Sequence, residues 1–144
     1  MHVRQSIRQA VVTAVTGLTT TSSRVFDSRI LPQSASDLPC LRVYATTETS
    51  EEATLVNLAR VCQIVVQGVA RATSEVEDTL DTIAEEVETA IAGAAGITSA
   101  GAKEIHIVST ELEFEADGDN PHGMVTLTFA ALYHTARATP GTAI

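Results

Sequence analysis

The side chains able to serve as ligands, acids or nucleophiles are few and scattered along this chain. Four histidines stand at positions 2, 106, 122 and 134. None pairs with another at metal-ligand spacing and there is no HExxH, so they read as structural or surface residues. His106 and His134 fall on the last two predicted strands, where one particular register would bring them together. Glu111, Glu113 and Glu115 alternate on one strand face, the spacing of paired carboxylates in acid-base work. No neighbour sets their pKa values apart, so they read as charges that protect an exposed strand. Asp117-Gly-Asp-Asn120 opens like a calcium loop but lacks the distal glutamate, and reads as a hairpin turn. GAAGITSAG lacks both GxGxxG spacing and a P-loop lysine. Without a GxSxG elbow or a cysteine-histidine pair, the sequence offers no catalytic centre, cofactor site or metal site, and we expect no enzyme.

The composition bounds the rest. The chain has 144 residues, enough for one domain over 1–144 with one core. Nine basic residues face eighteen acidic ones, a net charge of -9 that repels nucleic acid and anionic membranes on average. Aromatic residues make up only 3%, leaving little for base stacking. The basic residues are unevenly spread, however, with five of the nine in the first 42 positions. Cys40 and Cys62 read as reduced core residues, since a chain of this size needs no disulfide. The N-terminal apolar positions are periodic and broken by Thr13 and Thr16, which argues against a signal peptide. No stretch reaches the length of a membrane span.

Periodicity gives the elements that would hold these residues. Val3, Ile7, Val11, Ala14 and Leu18 mark a helix over 2–17, ending at Gly17. Arg24 to Ile30 reads as a short strand and Pro32 to Asp37 as a loop. Leu41, Val43 and Ala45 alternate with polar residues in a strand, and the TTETSEE that follows reads as a solvated acidic loop. Residues 54–72 read as a strand with Cys62, Ile64, Val66, Gly68 and Ala70 on one face; helix is the alternative for their opening part. Ser74 and Glu77 form a capping-box pattern ahead of the stripe Val76, Leu80, Ile83, Val87 and Ala90, with a stop at Gly93. Residues 93–102 read as a flexible link. Two strands follow. In the first, Val108, Leu112 and Phe114 oppose the three glutamates; in the second, Val125, Leu127, Phe129, Ala131 and Tyr133 share a face. The predicted order α-β-β-β-α-β-β gives an α+β fold, a mostly antiparallel sheet with two helices packed on one face.

Two segments carry a resemblance, RVF-x-x-R-x-x-P (Arg24 to Pro32) and LPCLRVY (Leu38 to Tyr44). Followed by TTETSEE, by LARVCQIVVQGVA, by the helical stretch Asp78 to Glu88 and by I-x5-E-x-E-F, this order resembles the tail terminator proteins of long-tailed bacteriophages, of the minor tail protein U type. Each motif is mostly apolar pattern; their succession over nearly the whole chain makes the likeness. It implies a structural virion protein at the tail-neck junction, made in the host cytoplasm. Such proteins form a ring, usually of six copies, on the tail tube. The ring stops polymerisation of the major tail tube protein and receives the head-tail connector. DNA would pass through without being specifically bound, and no cofactor or membrane is involved.

A terminator must contact its neighbour, the tube and the head side, all through unlike surfaces. On that reading Arg24, Arg29 and Arg42, with Phe26 between the first two, lie at a subunit or tube interface and pair with acidic groups across it; Glu48, Glu51 and Glu52 are the candidates on a neighbouring subunit. Ordinary surface charge is the competing account of these arginines. Two other functions stay open from sequence: a head-completion or stopper protein on the portal side, and a small α+β ligand-binding or enzyme domain.

Overall fold

A computed structural model describes residues 1–27, 37–115 and 121–144. The helix α1 spans Val3–Val15, and β1, Val25–Phe26, follows a turn. The long strands β2 (Cys40–Glu52) and β3 (Asn57–Arg71) lead to α2 (Val76–Ala92) and the short α3 (Ala95–Ser99). The chain closes with β4 (Glu104–Glu115), β5 (His122–Ala136) and β6 (Thr139–Ala143). The sheet order is β1-β2-β3-β5-β4, with β6 pairing β5. Only β1-β2 is parallel, so β1, β2 and β5 run one way while β3 and β4 run the other. This is the expected α+β architecture with one helix and one strand added.

Amphipathic pattern explains the layers. On α1, Val3, Ile7, Val11 and Val15 are buried; on α2, Leu80, Ile83, Val87 and Ile91 are. They meet one face of the sheet, hereafter the helix face, made of Leu41, Val43, Cys62, Ile64, Val66, Val125, Leu127, Phe129, Ala131 and Tyr133. α2 approaches the sheet closely at Gly68, where an added Cβ would lie 2.7 Å from Ile83 Cγ2, and 3.0 Å from Val125 Cγ1 of the neighbouring strand. Gly17, with φ +88°, takes the left-handed turn that ends α1, as its place in the sequence predicts.

Several expectations need correction. TTETSEE is not a loop: β2 continues to Glu52, because β3 supplies ladder partners out to Leu58. Residues 57–71 are strand throughout, removing the helical alternative there. Ser74 does not cap α2. Thr73 takes the Glu75 N–H with its hydroxyl and the Val76 N–H with its carbonyl, so the helix begins one residue later without a side-chain cap. The link over 93–102 contains α3, which buries Ile97. The strand expected over 24–30 is seen as Val25–Phe26, and Ser28 to Ser36 lie outside the described residues, as do Ala116 to Asn120 of the predicted turn. Leu112 and Phe114, expected to be buried, are about half exposed at 50% and 49%.

Candidate assembly surfaces

Two register shifts decide where the charged residues go. In β2, Ala45 pairs Ile64 but Glu48 pairs Cys62, so two residues face one between them. This bulge turns Glu48 onto the helix face. There its carboxylate, 10% exposed, accepts from Arg4 Nη1 at 2.7 Å, from Arg60 Nη1 at 3.3 Å and from the Tyr133 hydroxyl. Arg60 also donates to Thr135 Oγ1 at 3.1 Å. The group ties the first turn of α1 to three strands. Burial, and then the bond to Glu48, push the Tyr133 phenol well above its usual range, so it stays a donor.

His2 sits against this group, its ring edge-on to Tyr133 with centroids 6.4 Å apart. Its Nδ1 accepts from the Arg4 N–H at 3.2 Å, making it the cap of α1. Burial first, then the Arg4 charge, lowers its pKa below the ordinary 6.5. The folded protein therefore binds this proton less readily than the unfolded chain. The contribution is fully present above 6.5 and is lost as pH falls through the lowered value. Melting temperature is expected to fall between about pH 7 and about pH 5, and to fall less in His2→Asn, which keeps a capping acceptor without the titration.

Arg24 and Arg42 occupy the β1-β2 side of the sheet. Arg24 donates from Nε to the Pro39 carbonyl at 2.8 Å and from Nη2 to the Thr20 carbonyl at 3.0 Å. Among the described residues it clamps backbone carbonyls. Arg42 lies over the Tyr44 ring, 5.9 Å from its centroid, and donates to Gln67 Oε1; Gln67 Nε2 then donates to Thr126 Oγ1 at 2.9 Å. Phe26 is partly buried in β1, and Arg29 lies outside the described residues. The three acidic candidates separate. Glu48 is committed inside the subunit, Glu52 pairs with Arg137 at the surface, and Glu51 is exposed on the opposite face.

At the other side of the sheet, β4 carries a second bulge, between Ile107 and Ser109. Beyond it Leu112 and Phe114 turn to the helix face, opposite Val125 and Gly123, while Glu111, Glu113 and Glu115 point to the outer face. Val108, expected to share a face with Leu112 and Phe114, is instead the extra residue of the bulge. His106 pairs with Ala130, four positions along β5 from His134, so the two histidines do not meet. No cluster of three metal-ligating side chains occurs among the described residues. Cys40 and Cys62 are both buried and reduced. They lie on opposite faces of the sheet, and burial pushes each thiol up to about 11.

The profile of one family, Phage minor tail protein U, matches residues 2–133, from the cap of α1 to Tyr133 in β5. The chain belongs to this family. It is a tail-related structural protein of the virion, as the order of its motifs implied. A solved structure described as the virion of a native gene transfer agent particle contains a chain with 15% identity. That similarity covers 93% of this chain and 92% of the other, at a TM-score of 0.45. No curated protein matches the chain.

Proposed function

We propose that this minor tail protein U relative is a tail terminator: copies of the chain, each one domain over 1–144, close into a ring of six on the end of the tail tube. The ring stops addition of the major tail tube protein and offers its other rim to the head-tail connector, with DNA passing through unbound. The family match over nearly the whole fold carries the reading. It sits well with a sheet whose two sides differ in chemistry, since a ring needs unlike surfaces on each copy. Arg24, Phe26 and Arg42 would then belong to one lateral side, and Arg29, which lies outside the described residues, is proposed from sequence as a contact to another subunit or the tube. Glu51 and Glu52, at the end of β2, would then contact a neighbouring subunit or the tube. Glu48 acts within the subunit, by fixing α1.

The mass of the purified protein, alone and after mixing with tail tubes, tests this. A six-copy species on tubes, with tubes of uncontrolled length in lysates lacking the protein, is the expected result. Co-purification with heads instead of tubes would favour a stopper protein and end the terminator reading.

A further inference from the structure

The register aligns two rows across the whole sheet. On the outer face Arg42, Gln67, Thr126 and Glu111 stand side by side, from β2 through β3 and β5 to β4. On the helix face Leu41, Gly68, Val125 and Leu112 do the same. One side of the sheet therefore ends in a cation above an apolar residue, and the other in a carboxylate above an apolar residue. The acidic side is an edge strand of twelve residues, and no strand covers its outer margin among the described residues. On the opposite side, β1 pairs only Leu41 and Arg42 of β2.

From this arrangement we infer that the lateral contact between copies joins the β4 edge of one subunit to the β1-β2 edge of the next, with Glu111, Glu113 and Glu115 facing Arg24 and Arg42. The inference rests on the ring reading above. Strand direction permits the contact: β4 runs opposite to β1 and β2, so rotation about an axis along the strands brings the edges together antiparallel. Charge selects it. Two β4 edges meeting about a twofold axis would set carboxylate against carboxylate, which is destabilising. An arginine-bearing edge neutralises them and helps set the register. The contact also covers Leu112 and Phe114, which the subunit's own helices leave half bare.

Two variants test the pairing: E111K/E113K/E115K, and R24E/R42E. Each alone opposes like charges at every lateral contact and is expected to give no ring under conditions where the natural chain forms one on tail tubes. An equimolar mixture restores opposite charges at every contact if the variants alternate, and is expected to recover the six-copy mass. Circular dichroism establishes that each variant is folded; if loss of the Arg24 clamp unfolds the second, R42E alone takes its place. Rings formed by either variant alone, or a mixture that stays dissociated, would overturn the pairing. Failure of the natural chain to form a ring would instead remove the terminator reading itself.

Discussion

Glu48→Ala is expected to lower the unfolding free energy by about 3–5 kcal/mol, the usual result of removing one partner from a buried ion pair. Arg60 is only 12% exposed in its side chain and would keep its charge with the carboxylate gone. The Tyr133 hydroxyl would lose its acceptor in a fully buried setting. Water reaches Arg4 more easily, at 40% exposure, so its loss weighs less. Urea denaturation should show a lower midpoint with an unchanged slope. Because the cost lies mainly in the stranded cation, Glu48→Ala/Arg60→Met should be more stable than Glu48→Ala alone. If the double variant is the weaker of the two, the orphaned charge is not the cause.

Ile83→Ala is expected to cost about 2–5 kcal/mol, through lost burial and the cavity left behind. Ile83 is 1% exposed, and its Cγ2 presses on the backbone of β3 at Gly68. The same contact predicts about 1–3 kcal/mol for Gly68→Ala, whose new methyl would meet a stiff branched side chain. The two changes share that site, so they should not add. With the Ile83 branch gone, the methyl at 68 fills part of the space, opposed only by Val125. Thermal or urea unfolding of the four combinations measures the coupling, and strict additivity would show that α2 does not bear on β3 there.

How far the sequence could be read depended on whether one period ran unbroken. Apolar residues and threonines alternate from Val125 to Phe129, and Val125, Leu127, Phe129, Ala131 and Tyr133 are all buried on the face the alternation assigns them. Val3, Ile7 and Val11 hold a helical stripe in the same way. Reading failed where tertiary context overrode the local signal. TTETSEE has the composition of a loop, yet its strand conformation is secured by a ladder to residues fifteen or fewer positions away and by two arginines that answer Glu48. Nothing local announced that Arg4 and Arg60 would converge on that carboxylate, since one comes from a helix and the other from a neighbouring strand. The lateral alignment of Arg42 with Glu111 is equally invisible in sequence. It follows from three successive registers, none of which is encoded near either residue.

The bulge in β2 also has a consequence for how such chains can change by insertion and deletion. The extra residue is what lets Ala45 and Glu48, three positions apart, share the helix face, so loss of a single codon at Thr46 or Thr47 would heal the bulge: Ala45 would still pair Ile64, one threonine would face Gln63, and Glu48 would still pair Cys62. A residue lost between Glu48 and Glu52 has no such reserve and would exchange the faces of the positions after it. Relatives that keep the carboxylate should therefore tolerate loss of one threonine before it, but keep the length of the segment behind it.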